Sequence, residues 1–436
     1  MDHFAYRNGE LFCEGVSISE ICEMVGTPAY IYSAATLTDH YRRMAEAFAE
    51  LKPTICFSVK CLWNTHVLRL LAALGSGFDV VSGGELFRVA CAGGDMAKVV
   101  FAGVAKTDAE IRLGLTAGIA YFNVESEQEF ENLSRLAAET QTPARAALRV
   151  NPDVDPKTHR YTTTGKKESK FGVDLERAER FFAAYGRDPR VALDAIHLHI
   201  GSPVYSAEPY VEAVGKAVDL IGRLKRKGFT VRCLDIGGGY AADYGTGESP
   251  LAADYAAQIV PLLRGRGLKV ILEPGRQIAA NAGVLATQVQ YVKEGGERKF
   301  VIVDAAMTDL IRPALYDSFH FIWPVRSAEP PTRSAEYAPE GCVKVDVVGG
   351  VCESSDFLAK DRLLPAVGRG DRLAVFSAGA YGLVMASQYN SRPRPPEVLV
   401  EGASWRVIRR RETYEDLVAA EDVSETNDTS TKGRQG

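Results

Sequence analysis

From Thr54 to Pro274 the chain repeats one rhythm. A short apolar, β-prone run is followed by a turn, then by a stretch with apolar residues at helical spacing. Strand-like runs fall at Thr54–Lys60, Gly77–Ser82, Lys98–Gly103, Tyr121–Ser126, Ala146–Pro152, Ala195–Gly201, Val231–Gly237 and Leu268–Pro274. Amphipathic patterns between them include Asn64–Leu74, Gly84–Ala92, Glu127–Glu139, Ala207–Lys227 and Ala252–Arg264. Eight strands alternating with helices predict a parallel (β/α)8 TIM barrel. An open doubly wound sheet is the alternative, but the even spacing and the lack of a G-x-G-x-x-G opening argue against it.

Either side of this region the pattern changes. Near the N-terminus, Arg7-Asn8-Gly9-Glu10 reads as a hairpin turn, Ser17 can cap a helix over Ile18–Met24, and Ala29–Tyr32 is a strand. A helix over Thr36–Glu50 follows, with Tyr41, Met44 and Phe48 on one face and Leu51 just beyond. After Gly283 the alternation stops. Strands are expected at Val284–Val292, Lys299–Asp304, Val343–Val348, Arg372–Phe376, Glu397–Glu401 and Trp405–Arg410, without long helices between them. This predicts a C-terminal antiparallel β-domain that the N-terminal strand joins. The expected organisation is a barrel over 36–283 and a β-domain built from 1–35 and 284–422 that completes the active site. A helix over Tyr414–Ala420 precedes a polar, mixed-charge tail, 423–436, that is expected to be disordered.

Composition narrows the functional classes. With 46% hydrophobic and 25% charged residues in 436, the chain reads as a soluble, two-domain globular protein. A net charge of −5 without a basic run argues against nucleic acid and acidic membranes as partners. No apolar run reaches the length of a membrane span, and no secretion signal opens the chain. The eight cysteines are scattered without a C-x-x-C pair, which predicts reduced thiols, no metal site and a cytoplasmic location.

In such barrels, functional residues sit at the C-terminal ends of the strands. Here those ends carry Lys60, Asp79, Arg149 with Asn151, His197-Leu-His199-Ile-Gly-Ser202, Asp235-Ile-Gly237-Gly238-Gly239 and Glu273-Pro274-Gly275-Arg276. Alternation places Cys56, Ser58 and Lys60 on one face, so the lysine points into the barrel mouth, where half-burial should depress its pKa. Three glycines let backbone N–H groups converge on an anion, and Arg276 opens a short helix after the last strand. Phosphate binding after strands 7 and 8 together with a strand-end lysine points to pyridoxal 5'-phosphate, whose aldehyde forms a Schiff base with a lysine amine. Glu273 is the candidate acid beside the pyridine nitrogen, and His199 can lie against the ring. His197 reads as a satisfied core residue, and Asp79 and Arg149 as a pair that can close on each other inside the barrel.

These residues resemble the alanine-racemase-like barrel of the group IV (fold type III) pyridoxal-phosphate decarboxylases. Four runs narrow the resemblance to the diaminopimelate decarboxylase family: Thr164–Gly172, Asp304–Tyr316 with Arg312-Pro-Ala-Leu-Tyr316, Cys352-Glu353-Ser-Ser-Asp-Phe-Leu358, and Ser377-Ala-Gly-Ala-Tyr381-Gly. Cys61-Leu62-Trp63 after the lysine, and Pro203 after the His-x-Gly-Ser run, differ from the family's usual residues.

The resemblance implies decarboxylation of meso-2,6-diaminopimelate to L-lysine and carbon dioxide, the last step of lysine biosynthesis. It implies that Lys60 carries the cofactor and that Cys352 is the acid protonating the α-carbon. Asp79, His199, Ser202, Gly238, Gly239, Glu273, Pro274, Gly275, Arg276 and Tyr381 would contact the cofactor. Arg276, Arg312 and Tyr316 would take the distal carboxylate and Glu353 the distal ammonium, while Tyr381 would touch both cofactor phosphate and substrate. It further implies a head-to-tail homodimer in which the Cys352 loop completes the neighbour's site. The alternatives are a decarboxylase for a carboxynorspermidine-, ornithine- or arginine-type substrate, and a non-catalytic regulatory homologue. Loss of the lysine or the cysteine would mark the last, and both are present.

Overall fold

A computed structural model describes residues 3–155, 170–245, 247 and 249–421. Eight parallel strands form a closed ring: β1 Thr54–Ser58, β2 Gly77–Val80, β3 Val99–Phe101, β4 Tyr121–Val124, β5 Ala144–Asn151, β6 Val191–His197, β7 Cys233–Asp235 and β8 Lys269–Leu272. Each pairs with the next in chain order, β4 pairs with β5, and β8 pairs with β1, which closes the barrel. Several connecting helices start on a polar residue just past a strand. Asn64, Ser82 and Ser126 accept hydrogen bonds from the first-turn backbone of helices Thr65–Ala73, Gly83–Cys91 and Glu127–Glu139. Thr107 and Glu110 form a full capping box on helix Asp108–Ala117.

Most strands are shorter than the sequence pattern suggests, because their polar ends leave the pleat. The backbone ladder nevertheless runs on, with Ser58 N donating to Pro274 O (3.1 Å), Leu198 N to Asp235 O (2.8 Å) and Glu273 N to Gly237 O (2.9 Å). Lys60 therefore lies one residue into a short 3₁₀ turn, Val59–Cys61, rather than on the strand.

Inward side chains stack in layers of opposite character. Cys56, Val100, Tyr121, Ala147, Ala195, Cys233 and Ile271 form a small apolar cluster inside the barrel. Two residues further along the same strands, period-two alternation brings Ser58, Asn123, Arg149, His197, Asp235 and Glu273 inward, joined by Asp79 from β2. All seven are buried. The apolar layer is a floor and the polar layer lies on it.

The second sheet runs in the order Phe357–Leu364, Val343–Val348, Arg298–Val303, Gly283–Gly295, Ala29–Ser33, Glu397–Glu401 and Ser404–Arg409. The N-terminal strand sits inside it, as expected. The sheet is mixed rather than wholly antiparallel, since Arg298–Val303 runs parallel to Val343–Val348 and Ala29–Ser33 parallel to Glu397–Glu401. Parallel neighbours need a crossover, which residues 304–342 supply for the first pair and residues 34–396, the barrel included, for the second. The last helix ends at Val418 rather than Ala420. All eight cysteines carry free thiols, and among the described residues no helix is long and apolar enough to cross a membrane. The tail at 423–436 lies outside the described residues.

Glu397 joins the two halves. Its buried carboxyl accepts from Tyr32 Oη (2.9 Å) in the sheet and from Asn64 Nδ2 (2.7 Å), the cap of a barrel helix. Glu397→Ala should lower the unfolding free energy by about 2–6 kcal/mol in urea denaturation, because two buried donors lose their acceptor at roughly 1–3 kcal/mol each. Glu397→Gln, which keeps an acceptor, should lose less, and equal losses for the two would contradict this account.

Candidate active site

At the top of the polar layer, Lys60 Nζ meets Asp79 Oδ2 at 2.5 Å, and Ser58 Oγ donates to the same oxygen at 2.7 Å. Burial disfavours the ammonium, but Asp79 and Glu273 outweigh it and hold the Lys60 pKa above its ordinary value. The expected depression is thus reversed, because the lysine's burial is in carboxylates rather than in apolar side chains. The expected Asp79–Arg149 pair does not form. Barrel order places β2 beside β1, so Asp79 meets Lys60, while Arg149 on β5 reaches back to Glu125 just past β4, at 3.1 Å.

Glu273 follows β8 directly and is buried beneath the mouth. His197 Nε2 lies 3.4 Å from its Oε2, and Asn123 Nδ2 3.4 Å from its Oε1. Burial would raise the Glu273 pKa, but His197, Lys60 and His199 together hold it below the usual carboxylate range. His197 is therefore no satisfied core histidine. It is buried against a carboxylate, and among the described residues neither ring nitrogen makes a well-formed hydrogen bond. His199, one layer higher, accepts at Nδ1 from Gly238 N (3.4 Å), and burial with Arg149 nearby depresses its pKa well below the ordinary value. That acceptor role places its ring proton on Nε2.

The three glycines are needed for packing. A Cβ at Gly237, Gly238 or Gly239 would lie 2.1 Å from the carbonyl oxygen of Leu198, Glu273 or Gly201 respectively. Two of their N–H groups have protein acceptors, Gly237 on Asp235 Oδ1 (2.9 Å) and Gly238 on His199. This close crossing brings the ends of β6, β7 and β8 together, and Arg276 Nε reaches Ser202 Oγ at 3.3 Å. Gly275 lets the last loop, with Pro274, lie against Ser58 and Cys61.

Two arginines converge here. Arg276 Nη1 donates to Tyr244 Oη (2.8 Å), and the Arg312 guanidinium lies 4.6 Å from the centroid of the same ring. Both arginines are buried, and neither has a carboxylate partner among the described residues. Burial would raise the Tyr244 pKa, yet the two guanidiniums outweigh it and lower it. The Tyr381 ring covers Arg276 at 4.7 Å, and Tyr381 N donates to Cys61 O (2.8 Å) beside the lysine. Tyr381 takes a left-handed φ of 56° to do so. Tyr316 ends the short helix that Arg312 begins, half-buried.

Cys352 and Glu353 lie elsewhere on the β-domain surface. Cys352 Sγ faces Asn390 Oδ1 (3.5 Å), while Glu353 accepts from Tyr389 Oη (2.6 Å) and Ser355 Oγ (2.9 Å). Both are exposed, and none of these contacts involves the Lys60 cluster. Of the Thr164–Gly172 run, 164–169 lie outside the described residues; Gly172 N donates to Glu125 (3.1 Å). Tyr244 and His320, which closes on Arg312, went unmarked in the sequence. His320 follows the Arg312–Tyr316 run closely, which is the one signal that singles it out.

Residues 34–280 match the family described as pyridoxal-dependent decarboxylase, pyridoxal binding domain. The chain is 48% identical to a diaminopimelate decarboxylase of Pseudomonas aeruginosa, over 97% of this chain and 99% of that one. It is 45% identical to one of Aquifex aeolicus, over 95% and 96%. Among solved structures, diaminopimelate decarboxylase of M. jannaschii in complex with L-lysine superposes with a TM-score of 0.90 at 36% identity, covering 97% and 98%. That of Helicobacter pylori, also with L-lysine, gives 0.87 at 40%, covering 92% and 98%. The chain belongs to the diaminopimelate decarboxylase family of pyridoxal-dependent decarboxylases.

The Lys60–Asp79 contact makes a direct prediction. Asp79→Asn removes the nearest anion and should lower the Lys60 pKa. Reductive methylation of Lys60, followed against pH by peptide mass spectrometry, should then reach half-extent at lower pH. An unchanged profile would contradict the pairing.

Proposed function

We propose that this chain decarboxylates meso-2,6-diaminopimelate to L-lysine and carbon dioxide with pyridoxal 5'-phosphate, the last step of lysine biosynthesis, in the cytoplasm. The observation that carries the reading is the pair of buried guanidiniums, Arg276 and Arg312, that share Tyr244 and have no carboxylate partner among the described residues. Buried cations of this kind call for anions from outside the protein, here a phosphate and a substrate carboxylate.

The residues fit the cofactor. Lys60 offers an amine held in place by Asp79, and Glu273 offers a carboxylate kept ionised by His197, as a protonated pyridine nitrogen requires. Buried polar atoms that make no hydrogen bond among the described residues, including Asp79 Oδ1 and His197 Nδ1, lie in the same layer. Lys60 would hold the cofactor covalently, with Asp79 beside it and His199 against its ring. Ser202, Gly238, Gly239, Pro274, Gly275, Arg276 and Tyr381 would surround its phosphate end. When bound, pyridoxal phosphate supplies an electron sink for the electron pair left as carbon dioxide departs. The protein's share is to anchor the substrate's far end, exclude water and return a proton to the α-carbon.

Arg312, with Tyr316 and Arg276, would take the distal carboxylate and Glu353 the distal ammonium. An ornithine-type substrate has no distal carboxylate, so it would leave Arg312 buried and unpaired. Cys352 would deliver the proton. Because it lies on an exposed loop of the β-domain, we assign it and Glu353 to the barrel of a second subunit in a homodimer with composite sites. In this reading 36–283 is the cofactor domain, and 1–35 with 284–422 the domain that completes the site.

Purified protein supplied with meso-diaminopimelate should release carbon dioxide and L-lysine, and should leave ornithine, arginine and carboxynorspermidine nearly untouched. Turnover of a control in preference would assign a different substrate. Arg312→Ala should weaken diaminopimelate binding by about 1.5–3 kcal/mol, the loss of a charge-assisted contact, while cofactor affinity holds. A loss of cofactor affinity instead would move Arg312 to the cofactor's side. Mixing Lys60→Ala with Cys352→Ala under subunit exchange should restore about a quarter of wild-type activity, since half of randomly paired dimers are mixed and each has one intact site. No recovery, with exchange confirmed, would rule out the shared site.

A further inference from the structure

Arg312 is aimed by groups that carry no charge. His320 is fully buried just before strand Ile322–Pro324. Its Nδ1 lies 2.9 Å from Phe376 O, and a carbonyl oxygen only accepts, so Nδ1 carries the hydrogen. The neutral ring then presents a lone pair at Nε2, and Arg312 Nη1 donates to it at 2.9 Å. Both ends of this clamp are fixed by the second sheet. Phe376 N donates to Phe321 O (2.8 Å), and Arg362 Nη1 donates to His320 O (2.9 Å). Burial and the neighbouring Arg312 depress the His320 pKa well below its ordinary value, so the tautomer persists through neutral pH. On the other side Tyr244 stands edge-on to His320, with centroids 5.3 Å apart and planes at 88°, and lies against the Arg312 guanidinium.

The chemistry of this holder matters. A carboxylate would fix a guanidinium equally well, but would neutralise it and compete with any incoming anion. A neutral acceptor and an aromatic ring fix direction and leave the full charge available.

We propose that His320 is a positioning residue for Arg312 and thereby sets selectivity for ligands that carry a carboxylate at the end remote from the reacting carbon. This rests on the substrate reading given above. L-lysine and 1,5-diaminopentane serve as probes because they differ only by that carboxylate. Their affinities for the cofactor-loaded enzyme are measured by calorimetry for wild type and variants.

His320→Asn keeps a donor for Phe376 but is too short to reach Arg312. It should weaken L-lysine roughly ten- to a hundredfold, the range of a lost charged hydrogen bond, and leave the diamine within about threefold. His320→Gln, which returns an acceptor near the Nε2 position, should recover most of that loss. In an Arg312→Ala background, His320→Asn should have no further effect, since its target is gone. Equal weakening of both ligands, or an additive loss without Arg312, would reduce His320 to a packing role and overturn the proposal. A wild-type enzyme that binds both ligands equally would instead overturn the substrate reading itself.

Discussion

A closed barrel forces every second residue of its strands inward, away from water. On the first inward layer this chain places small or apolar side chains, and on the next Ser58, Asp79, Asn123, Arg149, His197, Asp235 and Glu273. Buried carboxylates there stay ionised only beside cations, and cations only beside carboxylates or an incoming anion. Lys60 on Asp79, His197 on Glu273 and Arg149 on Glu125 meet that condition from within the chain. Among the described residues Arg276 and Arg312 have no such partner, and that imbalance suits the mouth to the anionic groups proposed above.

The same condition explains the order of parts around the ring. β1 and β2 are neighbours, so a lysine just past one and an aspartate in the other can pair directly. Glu273 faces across to β6, where His197 sits in the same layer. The side proposed to take the anion is assembled where the ends of β6, β7 and β8 cross closely enough that only glycine fits. The β-domain then supplies what the barrel lacks. Arg312, His320 and Tyr381 all come from beyond Gly283, and Tyr381 is tied by its backbone to the residue after Lys60.

Much of this was legible in the sequence, because period-two and helical spacing are local signals. They gave the eight strands, the inward parity of Lys60 and Glu273, and the break after Gly283. Pairing was not legible, since it depends on which strands end up adjacent and how high in the stack each side chain sits. Asp79 and Arg149 share a layer but stand on β2 and β5, and each met a closer partner of opposite sign. His197 and His199 share parity but lie one layer apart, so one faces Glu273 and the other the loops above. His320 and Tyr244 carry no periodic signal at all. Their roles exist only once residues 312, 320 and 376 are folded onto the turn that carries Tyr244. The lysine's pKa inverted for a related reason, in that sequence parity reported burial but not the chemistry of what surrounds it.

The proposed cofactor site stands or falls on the Lys60–Asp79 pair at the end of β1. Borohydride reduction of the pyridoxal-phosphate-loaded protein, followed by proteolysis and peptide mass mapping, tests it directly. The account predicts the reduced pyridoxyl group on Lys60 and none on Lys60→Ala. Its recovery on another lysine, such as Lys106 or Lys170, would contradict the assignment.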